Sequence, residues 1–218
     1  MSFDPLRARQ SMINSQIRTN DVTSPALIDA FRAVAREAHL PLAVSGLAYS
    51  DIDLPLGFGR YALRPRDLAK MIQALAPERT SRALEIASGG GYGAAVLARL
   101  CAQVVSLEPE PDLARLALSA FPAEAHPPVQ VVTTNLQFGW ADAAPYDLIL
   151  VHGGVEFVPP AWLDQLADGG RMAVIVRQGP AGACRLYLKT GGQVSYRTVF
   201  DAAPPVLPGL EAPRGFAF

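Results

Sequence analysis

The stretch Leu84-Glu85-Ile86-Ala87-Ser88-Gly89-Gly90-Gly91-Tyr92, followed by Val104-Val105-Ser106-Leu107-Glu108, decides the fold. It reads as strand, glycine turn, helix, strand and acid, the opening unit of a parallel α/β sheet. A ligand can lie against a strand-to-helix turn only where side chains do not intervene. Glycines at 89 and 91 remove Cβ and permit positive φ, and Ser88 and Tyr92 flank them. A carboxylate at the end of the next strand can accept from ribose hydroxyls, and Glu108 stands there. The segment predicts a cradle for a nucleotide cofactor.

The spacing Gly89-x-Gly91-x-x-Ala94 also satisfies the dinucleotide fingerprint, so the flanks must choose between cofactors. A dinucleotide strand is usually apolar throughout. Here Glu85 interrupts the strand just before the turn, where a carboxylate can face a cationic ligand. S-adenosyl-L-methionine carries an ammonium and a sulfonium, and it is the favoured cofactor; a nicotinamide oxidoreductase is the rival.

The chain has 218 residues, 50% hydrophobic and 18% charged, enough for one sizeable α/β core with a modest extension. The 19 Lys and Arg are scattered and the net charge is -1, so no electrostatic feature points to nucleic acid or an anionic membrane. The N-terminus lacks a continuous apolar core and no run approaches the ~20 residues of a membrane span, so a cytoplasmic location is expected. Cys101 and Cys184 form no metal spacing or disulfide framework and read as small core residues.

Leu6, Met12, Ile13 and Ile17 recur at helical intervals, predicting an amphipathic helix over 4–19. Ser24 and Pro25 open a second helix as cap and first position. Residues 38–64 read as a long loop broken by Pro41, Gly46, Pro55, Gly57 and Gly59, and long loops are often functional. Pro65 starts a further helix. From 82 the rhythm is strand, helix, strand, helix, strand, with a fourth strand at 146–152, a short helix at 160–166 and a fifth strand at 170–178. Strands near 183–189 and 193–200 flank Thr190-Gly191-Gly192, a hairpin turn. The expected fold is α/β and Rossmann-like: a mostly parallel sheet with helices on both faces, a C-terminal antiparallel hairpin and an N-terminal helical extension. One domain is expected, with 1–80 as extension and loop, 81–203 as core, and 204–218 as a tail packed through Leu207, Leu210, Phe216 and Phe218.

With these residues placed, the chain resembles the protein-L-isoaspartate O-methyltransferase family along most of its length. Ala48 to Gly59 looks like the family's segment before its catalytic loop, and Leu84 to Tyr92 looks like its cofactor motif. Pro145-Tyr146-Asp147 opens a strand as in the family, and Gln165 to Gly170 is similar to its late segment. The resemblance implies methyl transfer from S-adenosyl-L-methionine to the α-carboxylate of isoaspartyl residues in proteins or peptides, a repair reaction. An ionised carboxylate is already nucleophilic, so such an enzyme mainly desolvates and aligns.

The family's active-site loop Thr-Ile-Ser-Gln-Pro is matched by Tyr61-Ala62-Leu63-Arg64-Pro65, so Leu63 replaces the serine. Ala87 stands where the cofactor motif has its first glycine. Asn135 and Leu136 match the acid and glycine beside the adenine. Asn135 still offers a carbonyl oxygen to the adenine amino group. Arg60, Arg64 and Arg66 can supply a bidentate contact to an acceptor carboxylate, or stand as solvated loop arginines. His152 ends the fourth strand, where α/β proteins place ligands, and can face the acceptor as a polar contact. The acceptor pocket is therefore read as Arg60, Leu63, Arg64 and His152. No metal site and no assigned catalytic side chain are expected. His39 and His126 carry no case for function, and Glu156 and Trp162 read as cap and packing residues. Because Leu63, Ala87 and Asn135 depart together, two further readings stand: a methyltransferase for another acceptor, and a binding protein that kept the fold.

Overall fold

The computed structural model describes residues 4–121 and 129–213; His126, Phe216 and Phe218 lie outside the described residues. Helix α1 (Pro5–Met12) starts where the Asp4 side chain accepts from the N–H groups of Leu6 and Arg7. It runs on as a π-helical turn over Ile13–Ile17 and a 3-10 turn over Arg18–Asn20, so the helix expected over 4–19 is present with a changed pitch. Helix α2 (Pro25–Ala33) has Ser24 as its cap, as expected.

The stretch read as loop over 38–64 holds short elements: helix α3 (Leu42–Ser45) and a hairpin of β1 (Leu54–Gly57) with β2 (Arg60–Ala62). The strands are too short for an alternation to show in sequence. Helix α4 (Pro65–Leu75) follows, its Leu68, Met71, Ile72 and Leu75 fully buried.

The main sheet has strands β3 (Arg82–Ile86), β4 (Gln103–Leu107), β5 (Val129–Val132), β6 (Tyr146–Val155), β7 (Leu166–Gln178), β8 (Ala181–Thr190) and β9 (Gln193–Asp201). Their order is β5-β4-β3-β6-β7-β8-β9. Pairings from β5 to β7 are parallel, whereas β8 and β9 join antiparallel. Gly191 and Gly192 form the two-residue turn with φ of +58° and +77°, the conformation that matches strand twist in a hairpin.

Helices α5 (Tyr92–Ala98), α6 (Pro111–Ala120) and α7 (Pro160–Asp164) complete the α/β alternation. The pleat of β6 divides the core in two. Leu148 and Leu150 join Phe31, Leu68, Met71 and Leu97 on one face, while Ile149 and Val151 join Leu84, Leu107 and Trp162 on the other. Helices therefore cover both faces, as expected. Cys101 and Cys184 are buried core residues whose thiols are pushed up to about 12 by that burial. Among the described residues no helix is long and apolar enough to cross a membrane.

Connectivity fixes where a ligand can sit. The chain runs from β3 outward through β4 to β5, then returns to lay β6 on the other flank of β3. Connections leave in opposite directions at that point, which opens a crevice at the carboxyl ends of β3 and β6.

Candidate functional site

The crevice is built on three strand ends in register. Ile86 pairs with Leu107 and with Val151, so Ala87, Glu108 and His152 are the next residues on three adjacent strands. Glu85, one pleat back, is fully buried. Gly93 in the first turn of α5 lets the helix pass over it; a Cβ there would lie 1.9 Å from Glu85 Oε1.

Glu85 and His152 form a buried pair, with His152 Nδ1 3.0 Å from Glu85 Oε1. The other ring nitrogen, Nε2, accepts from the N–H of Leu63 at 3.1 Å. This assigns the proton to Nδ1, which donates to the carboxylate. Glu85 Oε2 is buried and has no partner.

Glu108 is equally buried and almost fully engaged. Its Oε2 accepts from Gly89 N–H at 2.6 Å, and its Oε1 accepts from Arg60 Nη1 at 2.8 Å and from Glu110 N–H at 3.1 Å. Burial pushes its carboxyl above the ordinary range, and the Arg60 charge opposes that shift.

The turn between β3 and α5 takes left-handed φ at Ala87 (+66°), Gly89 (+57°) and Gly91 (+78°). Glycine suits that region and alanine does not. Ser88 is locked by the Ser106 hydroxyl, which donates to its Oγ at 2.8 Å. Tyr92 is buried and packs on Phe31 and His39. Beyond Glu108, a cavity of about 210 Å³ is lined by Arg60, Glu110, Asn135, Leu136, Gln137 and Pro208, among others. Asn135 caps the turn at 136–138 through its side-chain oxygen, which accepts from Gln137 N–H. Leu136 is buried and its carbonyl accepts from the Trp162 indole.

The residues read as an acceptor pocket are brought to one side of the crevice but into different partnerships. Arg60 turns inward to Glu108. Arg64 reaches Asp53 at 3.3 Å and Asp67 at 3.6 Å, and Arg66 pairs with Asp67 at 2.9 Å. Leu63 is fully buried. Arg60 is withdrawn from solvent, whereas Arg64 and Arg66 stay about a third exposed and are paired with aspartates.

Two residues escaped the sequence reading. His39 is buried, with Nδ1 2.7 Å from the Gly90 carbonyl, and so ties the N-terminal extension to the glycine turn. Arg36 is completely buried over the Tyr92 ring and donates to the carbonyls of Ala48 (2.7 Å) and Leu63 (2.9 Å). Both lie in a segment without periodicity, and their partners are distant in sequence. Trp162 is a buried packing residue, as expected, whereas Glu156 is not a local cap: its carboxylate accepts from Ala212 N–H, 56 residues on, and holds the tail. Among the described residues no group of three or more His, Cys, Asp or Glu could hold a metal ion.

With this geometry in place, the likeness to known proteins is decisive. The sequence model of the protein-L-isoaspartate (D-aspartate) O-methyltransferase family matches residues 7–203. The chain belongs to that family. A protein-L-isoaspartate O-methyltransferase of Opitutus terrae is 38% identical over 194 residues, covering 88% of this chain and 82% of that one. A relative of the same name from Rhodopseudomonas palustris is 40% identical over 168 residues, 77% of this chain and 69% of its own length. A solved protein-L-isoaspartate O-methyltransferase superposes with a TM-score of 0.78 at 26% identity, covering 93% of this chain and 67% of the other. A second structure, reported as a beta-aspartate methyltransferase from Plasmodium falciparum in complex with S-adenosyl-L-homocysteine, shares the fold. Its TM-score is 0.76 at 16% identity, over 94% of this chain and 99% of that one.

The residues present fit the methyl donor. The deciding observation is Glu85 Oε2, a buried acceptor with no partner, which an ammonium group can satisfy.

Proposed function

We propose that this chain is an S-adenosyl-L-methionine-dependent O-methyltransferase that acts on the carboxylate of isoaspartyl residues in protein or peptide substrates. Family membership supports the reaction class, and the orphaned Glu85 oxygen at the switch point is the single structural observation that carries it. When bound, the cofactor supplies a methyl group activated on a sulfonium. The chain's residues supply position and dryness. Glu85 faces the cationic end, Gly89 and Gly91 supply the left-handed backbone of the turn and let Leu56, Ala117 and Phe121 pack against it, and Glu108 offers oxygens to the ribose, while Ala87, Ser88, Tyr92, Asn135 and Leu136 shape the frame around them.

Leu63, Arg64 and His152 form the acceptor side, and Arg60 turns from it to Glu108. Leu63 is buried in the core and its backbone N–H is held by His152, so it brings no hydrogen-bonding group to an incoming carboxylate. The two free cysteines fit a reducing, cytoplasmic setting.

One observation favours a second reading. Arg64 and Arg66 are both paired with aspartates and Leu63 carries no polar group, so the acceptor loop suits a methyl acceptor other than isoaspartate as well. Calorimetric titration with S-adenosyl-L-methionine, followed by methyl transfer to an isoaspartyl peptide and its aspartyl control, separates the two. Binding with selective transfer upholds isoaspartyl repair, and binding without transfer upholds the other acceptor. Absence of binding would remove the cofactor assignment.

A further inference from the structure

We infer that Arg60 is an internal competitor for the ribose site, and that its ion pair with Glu108 sets the cofactor affinity of this chain. The inference rests on the methyltransferase reading and concerns what stands in the cofactor's way.

A carboxylate has about four acceptor positions. Glu108 has used three of them: Arg60 Nη1 and Glu110 N–H on Oε1, and Gly89 N–H on Oε2. A ribose brings two neighbouring hydroxyls to one carboxylate, and only one position remains. The two backbone donors belong to the turn and to the residue that caps α6, and cannot leave without distorting both elements. Among the described residues the Arg60 side chain is the only partner of Glu108 that rotamers can move.

Arg60 also sits where it must be moved. It is 2% exposed, it lines the cavity that leads to Asn135 and Leu136, and its Nε is buried without a partner. The hairpin that carries it lies over the turn, with Leu56 packed against Gly89. A guanidinium with one satisfied nitrogen and one orphaned nitrogen is held by its ion pair to Glu108 and not by a full set of hydrogen bonds. Cofactor entry therefore exchanges the Arg60 contact for a ribose hydroxyl, and the net gain is smaller than for a free carboxylate. An uncharged side chain of similar length would yield the site at lower cost.

The test is calorimetric titration of the full chain and of Arg60→Gln with S-adenosyl-L-homocysteine, and with its analogue lacking both ribose hydroxyls. The variant is expected to bind S-adenosyl-L-homocysteine on the order of tenfold more tightly than the natural chain. The natural chain should bind the two compounds within about threefold of each other, whereas the variant should lose about tenfold on the deoxygenated one. Equal or weaker binding by Arg60→Gln overturns the inference alone and leaves the methyltransferase reading standing. Failure of both proteins to bind either compound overturns the reading as well. Should the variant not fold, the natural chain decides by itself: a tenfold loss on removing the hydroxyls overturns the inference, and near-equal binding upholds it.

Discussion

His152 and Glu85 meet 3.0 Å apart across the switch point of the sheet, and through the other face of its ring His152 holds the backbone of Leu63. Three parts of the molecule thereby share one buried link: the acid before the glycine turn, the second half of β6 and the acceptor loop. The link is structural in the first instance, since it satisfies a polar ring that is 2% exposed.

Removing the ring should cost accordingly. His152→Ala leaves the Leu63 N–H and both Glu85 oxygens without partners in the interior, and a loss of roughly 2–4 kcal/mol is expected from denaturant unfolding. His152→Gln, which can donate to Glu85, should recover about half of it. Equal stability of the alanine variant and the natural chain would show that water replaces the ring at no cost.

Ala87 occupies left-handed backbone at φ +66° inside the glycine turn. An L side chain there is strained, and glycine relieves the strain while giving back some unfolded-state entropy. Ala87→Gly is expected to raise stability by about 1 kcal/mol, read from urea midpoints at constant slope. A decrease would mean that the buried methyl packs better than its backbone suffers.

His39 is held neutral: burial pushes its pKa below the ordinary value of 6.5, its bond to the Gly90 carbonyl opposes the shift, and the Arg36 charge adds to it. The unfolded chain binds the proton first as pH falls. Stability supplied by the neutral ring is therefore present above pH 6.5 and is lost below it. Between pH 7.5 and 5.5 the natural chain should lose more stability than His39→Gln. Parallel pH profiles for the two proteins would rule this out.

The Arg60 and Glu108 pair should show the opposite partner effect. Arg60 pulls the Glu108 carboxyl down against the upward shift of burial, so Arg60 stabilises the fold only while Glu108 is ionised. At pH 8 Arg60→Gln is expected to cost roughly 2–4 kcal/mol, from the charge it leaves buried and unpaired. The deficit should shrink by at least half at pH 4, as Glu108 takes up its proton. A deficit independent of pH would assign the Arg60 contribution to packing.

Leu63→Ser restores a hydroxyl at the family's serine position, yet Leu63 is fully buried in the core cluster with Leu54, Ala62 and Leu68. A loss of roughly 2–5 kcal/mol is expected, the range for truncating a buried leucine. Thermal melting checks it, and an unchanged midpoint would show that the loop relaxes around the smaller residue.

The sequence by itself determined the sheet, the glycine turn, the hairpin at Gly191-Gly192, the helix starts at Ser24-Pro25 and Pro65, and the pairing of Glu85 with Glu108 as two acids flanking one turn. These are local matters. Apolar alternation, helical spacing, proline and glycine act within a few residues and leave their mark on neighbouring letters. Only the tertiary structure decided that Arg60 would bind Glu108, 48 residues away, that His152 would bridge Glu85 and Leu63, and that His39 would hold Gly90. The extension folds back over the carboxyl ends of the strands, and buried polar groups then take whichever partners the topology brings within 3 Å or so. A loop without periodicity carries no record of that choice, which is why Arg60 reads in sequence as a contact for the acceptor or a solvated cation and stands in the fold as the buried partner of Glu108.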